Sequence, residues 1–166
     1  MPATPADEVD RIVEAWQRER PDLDVEPLHI LSRVLRLARH LDITRGSTFA
    51  AHGLEGWGFE VLSALRRAGP PYALSPGQLI AQTMVTSGTM TNRVSRLVAR
   101  GLVDRGPDPT DRRGVTVTLT TAGRAVVDEA MADLLDRQRL LLTQLPPTDR
   151  DHLAELLRRL LAPFDL

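Results

Sequence analysis

Two helix starts separated by a short turn lie in residues 75–101, SPGQLIAQTMVTSGTMTNRVSRLVARG. Ser75 can cap the first helix, and Gln78 can complete a capping box with it. Proline at the first helical position is a further sign of a helix start. Thr86 can cap the second helix, and Gly101 supplies the left-handed residue that ends it. Two helices joined by a short turn predict a helix-turn-helix.

The second of these helices, predicted over Thr86–Arg100, has one apolar and one polar face. The apolar face consists of Met90, Val94, Leu97 and Val98. The polar face suits DNA, because Arg can bond guanine, Asn can bond adenine, and hydroxyl groups can bond phosphates. An ordinary surface helix is the alternative, but we expect this face to bind DNA through Ser87, Thr89, Thr91, Asn92, Ser95 and Arg96.

Two short strands are predicted after the helix-turn-helix, at Leu102–Gly106 and Val115–Leu119. They flank a charged, proline-rich segment, and this pattern predicts a β-wing. Within that segment Asp111 can pair with a neighbouring guanidinium and hold it extended, which suits the narrow, negative minor groove. We expect Arg113 to enter the groove and Arg112 to lie nearer the phosphates; a solvated turn is the alternative.

Amphipathic periodicity predicts helices on both sides of this region. They are expected at Pro5–Arg20, Val25–Thr48 and Glu55–Ala68 before it. After it, one helix is expected from Thr120 or Thr121 to about Leu145, and another at Thr148–Leu161. The predicted fold class is therefore mostly α with a small β-wing: a winged helix-turn-helix DNA-binding lobe plus a helical dimerisation region.

A dense leucine stripe runs along the last predicted helix, where no further chain is expected to cover it. It consists of Leu153, Leu156, Leu157, Leu160 and Leu161. An uncovered apolar stripe favours packing against a second subunit, so we expect a homodimer. Within one compact chain, residues 1–52 are predicted to serve dimerisation and form a pocket wall, 53–124 to form the DNA-binding lobe, and 125–166 to complete the dimer.

Positive charge is concentrated in the region of the helix-turn-helix and the wing. The formal net charge is −1 at pH 7, yet residues 87–124 contain seven Arg and only three acidic residues. The segments on either side, 1–86 and 125–166, each carry more acidic than basic residues. This asymmetry suggests one local anion-binding surface on an otherwise acidic protein. Together with the helix-turn-helix and the wing, it leads us to expect double-stranded DNA as the partner.

The composition argues against several other kinds of site. The absence of cysteine excludes disulfides, thiolate zinc sites and thiol-based sensing. The four histidines lack the spacing of a metal site, and no phosphate loop, nucleophile–base arrangement or paired-carboxylate motif is found. No apolar run approaches the roughly 20 residues that cross a bilayer, and no signal peptide is recognised. We therefore expect a cytoplasmic protein without membrane association, cofactor, metal or catalytic residues.

The order of these elements resembles the MarR family of bacterial regulators. The resemblance lies in the recognition-helix region, residues 86–93 and 100–103, in Asp108–Gly114, and in Leu119–Arg124 at the start of the following helix. It covers residues from about 25 to 161. It implies a dimeric, winged-helix transcriptional regulator, with Asp111 and Arg113 matching the Asp-x-Arg pattern of the family's wing.

A finer resemblance, to the urate-responsive branch of that family, implies an effector pocket formed by Trp16, Glu60 and Arg93. Glu60 stands where that branch has an aspartate, and its carboxylate lies one methylene further out. Helical geometry places Arg93 on the flank of the recognition helix, where it can pair internally instead of contacting DNA. The alternative is that Trp16 is a core or interface aromatic and Glu60 an ordinary surface carboxylate.

Together these features predict a ligand-responsive repressor that binds a pseudo-palindromic operator as a homodimer and is released by a small anionic or phenolic effector. A constitutive DNA-binding protein without an effector is the first alternative. A helical dimeric enzyme is the second. Binding to a promoter fragment distinguishes the enzyme from the other two, and sensitivity to metabolites distinguishes the regulator from the constitutive protein.

Overall fold

Seven α-helices and three short strands form the part of the chain that the computed structural model describes, residues 5–107 and 114–164. The helices are α1 (Glu8–Glu19), α2 (Glu26–Ala51), α3 (Gly56–Arg67), α4 (Pro76–Thr83), α5 (Ser87–Ala99), α6 (Thr121–Leu142) and α7 (Pro147–Leu161). The strands are β1 (Ala73–Leu74), β2 (Val103–Pro107) and β3 (Val115–Leu119), and a 3-10 turn at Ala162–Phe164 follows α7. The prediction of a mostly α fold with a small sheet is confirmed.

The chain divides into two units, Met1–Ser47 and Thr48–Leu166. The first contains α1 and most of α2 around a small buried cluster of Val9, Val13 and Val25. The predicted division into three functional segments is a finer one and stays a prediction.

One guanidinium links the two helices of the first unit. Arg33 on α2 donates to Asp7, the N-cap of α1, and to Asp10 in its first turn, at 2.7 to 3.0 Å. These hydrogen bonds lower the pKa of both carboxyl groups, because they favour the charged form. The start of α1 is therefore held to α2 by ionised carboxylates.

Helix α3 is the centre of the second unit. Val61, Leu62, Ala64 and Leu65 have no exposed surface, and the helix contacts α4, α5, α6 and β3. Burial of this apolar surface is the main term that stabilises the unit. Because α3 is fixed on several sides, it forms a rigid support for α5.

The helix-turn-helix has the predicted caps. Ser75 and Gln78 form a reciprocal capping box at α4, and Thr86 caps α5. On α5, Met90, Val94 and Leu97 are buried as predicted, whereas Val98 is 40% exposed. Val98 lies about 100° around the helix from Leu97, at the edge of the apolar face, and therefore reaches past the core.

The strands form a three-stranded antiparallel sheet in the order β1-β3-β2. Val103 pairs with Leu119 and Pro107 with Val115, so β2 and β3 are the two strands predicted for the wing. Strand β1 was not predicted, because two residues are too few to show an alternating pattern. The wing residues Asp111, Arg112 and Arg113 lie outside the described residues.

A close backbone contact joins the base of the wing to α6. A Cβ atom at Gly123 would lie 1.9 Å from the carbonyl oxygen of Leu102. Thr120, the N-cap of α6, donates its N–H to that same oxygen at 3.2 Å and its hydroxyl to the carbonyl of Gly101 at 2.8 Å. Only glycine permits this approach, so Gly123 fixes where α6 begins relative to the wing.

All 15 residues of α7 are described and none of them is buried. The five leucines of the predicted stripe are 37% to 55% exposed. In residues 5–107 and 114–164, no helix combines the length and the apolar character that a membrane crossing needs.

Candidate DNA-binding surface and effector site

The polar face of α5 is accessible on the isolated chain. The six side chains predicted to contact DNA are all exposed: Ser87, Thr89, Thr91, Asn92, Ser95 and Arg96. At the start of the helix the Thr86 hydroxyl accepts from the Thr89 N–H at 3.4 Å and lies 2.9 Å from the Thr89 hydroxyl. The helix thus presents hydroxyl, amide and guanidinium groups, and their contacts with DNA stay a prediction.

A cleft of about 400 Å³ lies beside this face. Its walls are Trp57 on α3 and Gly88, Thr89, Asn92, Arg93 and Arg96 on α5. The guanidinium carbons of Arg96 and Arg93 lie 4.6 and 5.8 Å from the centre of the Trp57 ring, within the range of a cation–π contact. One indole therefore contacts both arginines of α5.

Arg96 is also paired with an acidic residue. Its Nη2 donates to Oε1 of Glu55 at 2.5 Å, and the other carboxylate oxygen of Glu55 accepts from Nε1 of Trp57. The Trp57 N–H is the main cause that lowers the pKa of Glu55, with Arg96 contributing in the same direction. Glu55 is therefore ionised at neutral pH and neutralises a residue predicted to contact DNA.

Arg93 faces the interior, in agreement with the expected internal pairing. Its side chain is 20% exposed, and Nη1 lies 3.6 Å from Oε2 of Glu60. This distance is too long for a good hydrogen bond, and Nη1 is buried with no hydrogen-bond partner among the described residues. A buried guanidinium nitrogen without an acceptor is costly, so an added anionic oxygen would be favourable here.

The third residue of the predicted effector site, Trp16, belongs to the first unit, whereas Glu60 and Arg93 belong to the second. Trp16 is 48% exposed and lines a cleft of about 380 Å³ with Ile12, Ala15 and Glu19. The structure thus brings Glu60 and Arg93 together within one unit. The joint effector site of all three residues stays a prediction.

Histidines and carboxylates give no sign of a metal site in the described ranges, where no group of three or more potential ligands is found. His52 lies 3.5 Å from Asp133, and His29 lies 3.9 Å from Asp10. Each distance joins one imidazole to one carboxylate, which is too few ligands for a metal site.

Sequence reasoning missed two residues at this surface, Glu55 and Trp57. Their contacts with Arg96 join residues 41 and 39 positions apart, which helical periodicity does not reveal. The spacing of Arg93 and Arg96 was the one sequence feature that could have suggested an aromatic partner for them. Residues three apart share one side of a helix and can flank one aromatic ring.

Known proteins share both sequence and fold with this chain. The family model described as "MarR family" matches residues 52–114. The chain is 36% identical over 152 residues to the HTH-type transcriptional regulator PecS of Dickeya dadantii, covering 92% of each protein.

Two solved structures extend the comparison. A mutant of the Escherichia coli multiple antibiotic resistance repressor MarR, complexed with operator DNA, superposes with a TM-score of 0.66 at 28% identity, over 84% of this chain and 99% of that chain. BpsR of Bordetella bronchiseptica, whose DNA binding is regulated by 6-hydroxynicotinic acid, has a TM-score of 0.57 at 32% identity, over 77% and 98%. Regulators of this kind bind DNA and are not enzymes. On these grounds the chain belongs to the MarR family of winged-helix, DNA-binding transcriptional regulators.

Proposed function

We propose that this chain is a cytoplasmic repressor that binds a pseudo-palindromic operator as a homodimer and releases it when a small anionic or phenolic effector binds. The observation that carries the proposal is α5, whose exposed face is polar and whose opposite face is anchored by Met90, Val94 and Leu97. Such a helix can enter the major groove without losing its packing.

Exposed apolar surface supports the homodimer. Besides the leucines of α7, the helices α6 and α2 expose large apolar side chains: Leu140, Leu141, Leu142, Ile30, Leu31, Val34 and Leu35. A single recognition helix contacts too little DNA for tight specific binding. A two-fold dimer presents two copies of α5, which predicts half-sites about 10 bp apart.

The DNA contacts follow from the chemistry of the exposed groups. Asn92 suits adenine and Arg96 suits guanine, while hydroxyls such as Ser87, Thr91 and Ser95 suit phosphates. We propose that Arg112 and Arg113, which are predicted for the wing, also contact the DNA, with Asp111 as their acidic partner. Repression follows when the bound dimer covers a promoter.

The effector is proposed to act through Arg93. Its Nη1 lacks a hydrogen-bond acceptor among the described residues and lies 3.6 Å from Glu60. A planar anion would supply that acceptor and displace Glu60. The stacking role expected of Trp16 stays a prediction. Because Arg93 is on the recognition helix, its movement would shift α5. A hundredfold loss of DNA affinity needs only about 2.7 kcal/mol of differential effector binding.

The relatives support effector control in this fold, since 6-hydroxynicotinic acid regulates DNA binding by BpsR. The test is fluorescence anisotropy of DNA from the promoter of the chain's own gene, with urate and 6-hydroxynicotinic acid titrated as probes. We expect release of DNA and quenching of tryptophan fluorescence over the same concentration range. Both responses should weaken in Trp16→Phe and Arg93→Ala.

Binding that is tight but indifferent to both probes would refute this effector class and favour a constitutive DNA-binding protein. Release that persists undiminished in both variants would place the effector elsewhere. No binding to any fragment of the promoter would refute the DNA-binding function itself.

A further inference from the structure

We propose that Glu55 lowers the DNA affinity of this protein by holding Arg96 in an ion pair that the operator must break, with Trp57 as its support. We call Glu55 and Trp57 the Arg96 clamp. The inference rests on the proposed DNA-reading role of α5, and it adds an affinity-determining residue outside the recognition helix.

The clamp holds Arg96 on two sides. The Glu55 carboxylate accepts from Nη2 at 2.5 Å, and the Trp57 ring centre lies 4.6 Å from the guanidinium carbon. Trp57 also donates to the second oxygen of Glu55, which fixes the carboxylate in place. Glu55 is the N-cap of α3 and Trp57 lies in its first turn, and α3 is anchored in the core. The clamp is therefore rigid on the side that faces Arg96.

A DNA contact by Arg96 conflicts with this pairing. Guanine O6 and N7 and the phosphate oxygens are all acceptors, and they approach the same fork of donors that Glu55 now occupies. A carboxylate left beside such an acceptor would repel it. Arg96 must therefore exchange Glu55 for DNA, and the free energy of the ion pair is subtracted from that of binding.

The other arginine beside Trp57 cannot take over this role. Arg93 is 20% exposed and faces Glu60, whereas the Arg96 side chain is 54% exposed. Arg96 is thus the cation of this pair that can turn from protein to DNA.

The test is a double-mutant cycle on operator affinity. Glu55→Gln removes the charge but keeps an amide oxygen that can accept from Trp57, so the fold of the site is retained. Since an exposed ion pair changes an equilibrium constant by at most about fivefold, we expect Glu55→Gln to raise affinity about threefold. In an Arg96→Ala background the same change should have little effect, because the partner is gone.

Glu129→Gln is the matched control, because Glu129 is an exposed carboxylate on α6 and the substitution changes net charge equally. It should leave operator affinity unchanged. A gain from Glu55→Gln that is as large without Arg96 would overturn the inference, since it would reflect general repulsion of DNA by Glu55. A loss of affinity in Glu55→Gln would also overturn it, because the carboxylate would then position Arg96 productively. A wild-type chain that binds no promoter fragment refutes the proposed function instead.

Discussion

Replacing Gly123 by alanine should destabilise the second unit, because the helix α6 and the wing base meet there without room for a side chain. The new Cβ would lie 1.9 Å from the oxygen and 2.9 Å from the carbon of the Leu102 carbonyl. Real Cβ contacts are not shorter than 3.0 Å, so α6 and the wing base must separate by about 1 Å.

The cost has two parts. Overpacking a rigid site costs about 1–3 kcal/mol, and the movement weakens the two Thr120 hydrogen bonds to Leu102 and Gly101, each worth about 1 kcal/mol. We therefore expect the free energy of unfolding to fall by about 1–5 kcal/mol, according to how far the two hydrogen bonds weaken, out of the roughly 5–15 kcal/mol of an ordinary domain.

Urea denaturation followed by circular dichroism measures this change. Gly88→Ala is the control. Apart from its chain neighbours and the backbone of its own helix, no described atom lies within 4 Å of a Cβ at that position. Alanine in a helix is intrinsically better than glycine, so Gly88→Ala should leave stability equal or raise it by up to about 1 kcal/mol. A loss below about 1 kcal/mol for Gly123→Ala would refute the close approach.

Three further predictions concern charge, assembly and DNA contact. Arg33→Gln should lower the free energy of unfolding at pH 7, as denaturant titration would measure. At acid pH, the difference from wild type should vanish as the aspartate partners of Arg33 protonate below their ordinary pKa of 3.8. Leu157→Glu should convert the dimer to a monomer, as light scattering would show; an unchanged dimer mass would exclude the α7 stripe from the interface. Asn92→Ala should reduce base preference by about 1–3 kcal/mol, measured as the difference in anisotropy-derived affinity between operator and scrambled DNA. Arg113→Ala should lower the slope of log affinity against log salt concentration by about one per half-site, measured by the same anisotropy assay.

Local chemistry explains why so much of the fold was predictable. The caps at Ser75 and Thr86 and the alternation of residues 115–119 are encoded by neighbours in sequence, so helix and strand positions followed directly. Strand β1 has only two residues and depends on pairing with β3, a contact that no local pattern encodes. The exposure of Val98 was not predicted either, because it depends on where the core ends, which the local sequence does not show.

The candidate site divides in the same way. The polar face of α5 and the inward position of Arg93 follow from helical geometry. The Arg96 clamp does not, because Glu55 and Arg96 meet only through the packing of α3 against α5. Roles in binding DNA and effector depend on partners outside the chain, and they therefore remain predictions to be tested with those partners present.

The central claim is that two copies of α5 in a homodimer bind one pseudo-palindromic operator. Hydroxyl-radical footprinting on DNA from the promoter of the chain's own gene tests this claim most directly. We predict two protected patches about 10 bp apart, related by a two-fold axis and lost together in a variant carrying Asn92→Ala and Arg96→Ala. A single unsymmetrical patch, or symmetrical protection that this double variant leaves intact, would contradict the claim.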